Sequence, residues 1–130
     1  RYMLLQSAAP PYLWEYAVEQ ATLVLNSTCG VRNPNRSPVE IVTGKQPQIL
    51  RVLPFGCAAV ITKTERMRSN KLAPRGSLGI HLGPDPTVLG GYAVYLLEEK
   101  SVVVTCDIRV DEFAYPLAPR PPPRAAPLPP

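Results

Sequence analysis

The chain is poor in the residues that carry out chemistry. Its 130 residues include one histidine, His81, and three cysteines, Cys29, Cys57 and Cys106. The cysteines are odd in number, widely spaced and without a Cys-x-x-Cys pair, which argues against a disulfide framework and a zinc site. His81 stands alone between Ile80 and Leu82, in no recognisable register with a nucleophile, and reads as a packed residue. No run of 18 or more apolar residues and no basic-apolar-small leader is visible, so neither a membrane span nor a signal peptide is expected. The sequon Asn26-Ser27-Thr28 is a chance triplet on this reading, and the expected setting is intracellular and reducing.

Acidic residues are also scarce where they would matter. Asp107, Asp111 and Glu112 are the nearest approach to a metal cluster. On a strand, positions 107 and 111 face the same side but lie about 13 Å apart at ~3.3 Å per residue, too far to share an ion. No catalytic site and no metal site is expected, and no cofactor of the chain's own.

What is present is base and proline. The net charge is +4 with a pI near 9.2, and five basic side chains fall between positions 63 and 75: Lys63, Arg66, Arg68, Lys71 and Arg75, against the single acid Glu65. Such a run suits sequence-independent attraction to DNA phosphates, with affinity falling as salt rises. No aromatic interleaves with it to stack on bases. A solvated inter-strand loop is the competing reading. The 17 prolines concentrate after position 115, where Arg120 and Arg124 are the only charges. Proline fixes φ and removes a donor, so residues 114–130 are expected to form a disordered, extended polyproline-type linker.

The first half reads as helices. Residues 1–6 form a helix tail, broken by Pro10-Pro11. From Tyr12 to Asn26, Leu13, Trp14, Ala17, Val18, Ala21, Val24 and Leu25 recur at three- and four-residue steps. Trp14 is expected to anchor this stripe against a domain lying upstream. Ser37-Pro38-Val39-Glu40 has the form of a capping box with proline at the first helical position, which predicts a short helix to Thr43 ending at Gly44.

The second half reads as five short strands, at 58–62, 77–82, 92–97, 101–105 and 106–110, bounded by glycine, proline or charge. Residues 92–105 predict a β-hairpin. Its first strand alternates Tyr92, Val94 and Leu96 with Ala93, Tyr95 and Leu97, so both faces are apolar, as in a barrel wall with something packed outside. Cys57 is expected to be a small buried residue and Gly56 to serve close packing. A barrel of this size is marginal alone, so one compact unit with the preceding helices is expected.

These residues carry a resemblance. Leu13-Trp14, Leu25-Asn26, Ser37-Pro38, Gly44-Lys45-Gln46-Pro47, Phe55-Gly56-Cys57 and the strand series after them follow the order found in polyproteins of copia-type retrotransposons. The departures are Leu53-Pro54, which looks like a small insertion, and Gly83-Pro84-Asp85-Pro86, where the family more often has glycine-tyrosine. The resemblance implies an α+β arrangement. Residues 1–48 would be the C-terminal helices of an integrase (RNase H-like) catalytic core, 49–113 a five-stranded SH3-like β-barrel, and 114–130 the linker. It further implies a non-catalytic fragment supporting DNA integration, in the nucleus or cytoplasm if the element is active. Its partners would be DNA, the remainder of the integrase core and an integrase oligomer, with no membrane. The family's two Asp and one Glu, which hold divalent metal such as Mg, lie upstream of the matched helix, and none transfers to a residue here. The alternative is a stand-alone structural or interaction module with no DNA role.

Overall fold

The computed structural model describes residues 1–47, 52–63, 68 and 70–119. Helix α1 (Tyr2–Ser7) ends where Ala8 takes a left-handed conformation, φ 52°, and Pro10 and Pro11 lead into a single 3-10 turn, Pro11–Leu13. Helix α2 (Trp14–Ser27) follows, then α3 (Pro38–Thr43). Ser37 caps α3 by accepting the Glu40 N–H at 3.3 Å, and Gly44 closes it by donating to the Glu40 carbonyl at 2.8 Å. Ser37 itself is buried.

Five antiparallel strands follow: β1 (Ala58–Thr62), β2 (Gly76–Pro84), β3 (Tyr92–Leu96), β4 (Ser101–Thr105) and β5 (Ile108–Asp111). They pair in the order β4-β3-β2-β1-β5. The edge strands are sequence neighbours at opposite ends of that order, yet Val103 of β4 and Ile108 and Val110 of β5 pack on one cluster with Ala59, Ile61, Val94 and Leu96. The sheet is therefore strongly curled about this inner core, as a small barrel requires.

The outer face carries a second core. Ile80, Leu82, Ala93 and Tyr95 pack against Ala9, Leu13 and Ala17 from the helical half, with Phe55 between them. Strand β3 is consequently buried on both faces, Val94 and Leu96 inward and Ala93 and Tyr95 toward α2. Tyr12 and Tyr95 share a hydroxyl–hydroxyl hydrogen bond with their rings edge to face, 6.1 Å between centroids, which pins the 3-10 turn to β3.

The tryptophan side of α2 is not the side that meets the sheet. Trp14 is 54% exposed, and the residues facing the sheet are Leu13, Ala17 and Gln20. The apolar stripe read from the sequence is wider than one contact can cover. The sheet takes one side of it, and Trp14, Val18 and Leu25 lie on the other. The C-terminal segment also stays on the domain beyond β5. Ala58 donates to the Ala114 carbonyl at 2.7 Å, and Leu117 packs on the outer core. The remainder of the proline-rich stretch, residues 120–130, lies outside the described residues.

The junction between halves is made at backbone level. Gly56 sits at φ 78°, a conformation that favours glycine, and a β-carbon there would overlap the fully buried Ser7 side chain. Its N–H donates to the His81 carbonyl at 2.7 Å, and the His81 N–H donates to Cys57 at 3.0 Å. Ser7 in turn donates from Oγ to the Met3 carbonyl at 2.7 Å. We predict that Gly56→Ala destabilises the fold by roughly 3 kcal/mol, combining the left-handed backbone with overpacking. Gly30→Ala should be near neutral, since nothing lies within 4 Å of its β position and its φ is not left-handed. Urea unfolding of both variants checks this.

Candidate nucleic-acid interface

The predicted basic run falls on the connection from β1 to β2. Its base is closed where the Lys63 N–H donates to the Arg75 carbonyl at 2.6 Å. Further along, Asn70 builds a turn, its side chain accepting from Leu72 N–H at 3.0 Å and its carbonyl from Ala73 N–H at 3.2 Å. This brings Lys63 and Arg75 to opposite sides of the loop base, with Lys71 on the turn.

The five side chains are not equivalent. Lys71 and Arg75 are exposed, and neither forms an ion pair with a described residue. Lys63 is partly covered, with Nζ 3.8 Å from the largely exposed Glu98 carboxylate at the β3–β4 turn, which offsets part of its field. Arg68 is half-buried and already engaged. Arg66 lies outside the described residues. Arg109, absent from the sequence expectation, sits on β5 directly across from Val60 of β1 and is exposed. It is three residues along β1 from Lys63, about 10 Å at ~3.3 Å per residue. Only the pairing of β5 with β1, between residues 47 to 53 apart in sequence, could have revealed it.

Among the described residues, no group of three or more His, Cys, Asp or Glu could hold a metal ion. Asp107, Asp111 and Glu112 are all exposed. No helix among them is long and apolar enough to cross a membrane. Cys57 is fully buried and burial pushes its thiol up to about 11, so it is a packing residue and not a thiolate nucleophile. His81 is fully buried beneath Tyr92, with ring centroids 5.6 Å apart. Its Nδ1 lies 3.3 Å from the Pro54 carbonyl, which can only accept, so the proton sits on Nδ1. Nε2 has no partner. Burial holds this imidazole down to about 4.

Helices on the outer face, a curled sheet in the order β4-β3-β2-β1-β5 and a long basic β1–β2 loop define the class as a small SH3-like barrel with appended helices. The retroviral polymerase SH3-like domain matches residues 57–123, just over half of the chain, and the chain belongs to that family. It is also 30% identical over 123 residues to the Transposon Ty1-DR6 and Ty1-BR Gag-Pol polyproteins of Saccharomyces cerevisiae (strain ATCC 204508 / S288c). These alignments cover 88% of this chain but 7% of each relative, so the chain spans a small part of the curated relatives it matches. No solved structure matches it. The copia-type resemblance and the fold class expected from the sequence are borne out, and the chain is a piece of a retrotransposon Gag-Pol polyprotein.

The buried imidazole yields a pH prediction. The unfolded chain binds a proton at His81 near pH 6.5 while the folded chain resists it until about pH 4. Stability should therefore be independent of this group above pH 6.5 and fall as pH drops toward 4, by up to about 3 kcal/mol. Chemical unfolding across pH 7.5 to 4, compared with a His81→Gln variant, should show the slope of one proton in the native chain and its loss in the variant.

Proposed function

We propose that this domain is a non-catalytic part of a retrotransposon integrase region, supporting DNA integration by weak, sequence-independent contact with duplex phosphates. The observation that carries this reading is the pair of exposed cations, Lys71 and Arg75, on a loop closed at its base by backbone hydrogen bonding. Phosphate contacts by such groups release counterions and need no base recognition. Arg66 and Arg68, from the same run, and Arg109 across the loop base would widen the positive surface. Lys63 contributes least, because Glu98 lies beside it.

The helical half supplies the second part of the proposal. Trp14, Val18 and Leu25 of α2, with Tyr2, Leu5, Ile41 and Val42, are large apolar side chains more than half exposed. Apolar surface on this scale is a protein-interaction signature. We propose that the remainder of an integrase core covers it, within an integrase oligomer in the nucleus or cytoplasm. Metal chemistry would belong to that core. The carboxylates among the described residues do not gather into a group that could hold a metal ion. A second reading, a structural or interaction module with no DNA role, is favoured by the same apolar face and by the Lys63–Glu98 pair.

Titration of a short duplex against the chain at increasing salt separates the two. We expect binding whose logarithmic affinity falls linearly with log salt, with the joint change Lys71→Glu and Arg75→Glu reducing the slope by about 2. Lys45→Glu, on the other half of the molecule, should leave it unchanged. A flat salt response, or indifference to the double reversal, would favour the structural module. The chain alone should show no Mg-dependent strand transfer or nuclease activity, checked on a labelled duplex.

A further inference from the structure

The sheet ends on β4 without the usual guards of an edge strand. An edge offers a row of backbone N–H and C=O groups to any other strand, and folds blunt it with charge, proline, a bulge or a covering element. β4 reads Ser101-Val102-Val103-Val104-Thr105, with no charge and no proline. Its register with β3 runs unbroken from Tyr92 and Thr105 to Leu96 and Ser101. Among the described residues β3 is its only strand partner, and no backbone–backbone hydrogen bond reaches it from elsewhere. The opposite edge is built differently, since β5 is a residue shorter and carries Arg109 and Asp111.

The surface beside this edge is apolar on the outer side of the sheet. Val103 packs on the inner core, so Val102 and Val104 face outward. The β2–β3 connection folds back next to Val104, with the Asp85 N–H donating to the Gly91 carbonyl and the Gly91 N–H to the Val88 carbonyl, both at 2.9 Å. A β-carbon on Gly91 would stand 2.8 Å from Val88 Cβ and 3.2 Å from Val104 Cγ1, so the two valines flank it. Leu89 is 99% exposed, and the Cys106 thiol reaches its carbonyl at 3.9 Å, just past the end of β4. Val88, Leu89 and Val104 thus form a solvent-facing apolar rim along an unpaired strand.

We propose that β4 is a self-association edge, at which two copies of this chain pair β4 with β4 antiparallel about a two-fold axis at Val103 and so join their sheets. The strand is its own complement in that register. Val103 stands opposite its copy, Val102 opposite Val104, and Ser101 opposite Thr105. Valine meets valine on both faces, a hydroxyl meets a hydroxyl at each end, and no charge is set against an apolar side chain within the strand. The outward valines of both copies continue the rim made by Val88 and Leu89. A contact of this kind is isologous and closes at two copies. A five-residue strand is a small interface, so the dimer is expected to be weak. The pairing uses neither the basic loop nor the exposed side of α2, and stands apart from the readings given for them.

Sedimentation equilibrium of the full chain under reductant, from about 1 μM to about 1 mM, tests this together with hydrogen exchange over the same range. We expect a monomer–dimer equilibrium in which the β4 amides that do not bond to β3 gain protection as concentration rises. Val104→Lys, which puts a charge on the edge, should weaken the dimer by roughly tenfold or more, while Val60→Lys, on the interior strand β1, should leave it unchanged. The exchange measurement is made on the unaltered chain and decides the matter if the lysine variant fails to fold. The Val104→Lys chain should keep the salt response of duplex binding, which separates this contact from the phosphate reading. A chain that stays monomeric throughout, or that dimerises without protecting β4, would overturn the proposal. So would a dimer indifferent to Val104→Lys and lost with Trp14→Lys, which would put the contact on α2. Growth beyond two copies would overturn it as well, since the two-fold pairing is closed.

Discussion

Strand β3 has no polar face, and the rest of the domain is arranged around the need to bury it twice. Val94 and Leu96 are covered by curling the sheet until its two edge strands meet one inner cluster. Ala93 and Tyr95 face outward, where only another element can exclude water, and the 3-10 turn and α2 supply Leu13, Ala17 and the Tyr12 hydroxyl contact. A barrel of this size buries little apolar area alone. The helical half is thus a structural partner of the barrel, whatever else it contacts.

The junction at Phe55-Gly56-Cys57 follows from the same constraint. Bringing α1 against the sheet requires a turn with no side chain at Gly56, a buried hydroxyl at Ser7 that satisfies itself on its own helix, and reciprocal backbone bonding to His81. His81 is then sealed inside with one nitrogen unpartnered, which makes acid stability the exposed weakness of the fold. Strong packing here leaves no access for chemistry. Cys57 and His81, the two side chains a search for catalysis would notice first, are both fully buried.

The cores leave several surfaces unused. The β1–β2 loop projects cations, the outer side of α2 exposes tryptophan and aliphatic residues, and the cleft beside Gly83 is lined by Glu19 and Asp85. Each has a different chemistry, and each lies on a separate element.

Local periodicity and turn chemistry were enough to read most elements from the chain. The Ser37 cap, the Pro38 start and the Gly44 stop of α3, the two-sided apolar alternation of β3 and the β3–β4 hairpin all depend on neighbours within a few residues. The basic run between Lys63 and Arg75 was legible for the same reason, as was the family, whose motifs are contiguous. What required the tertiary structure is long-range. The stripe on α2 could not say which of its sides would meet the sheet: Leu13 and Ala17 do, and Trp14 lies on the side left exposed. Arg109 joins the loop base only because β5 pairs with β1, and Lys63 meets Glu98 only because the β3–β4 turn, 35 residues away in sequence, comes beside it. The cleft beside Gly83 exists only where a bulge in β2 faces α2, a juxtaposition no sequence window contains. Side-chain type and local pattern are properties of the chain, whereas burial, pairing and neutralisation are properties of what the fold brings within a few ångströms.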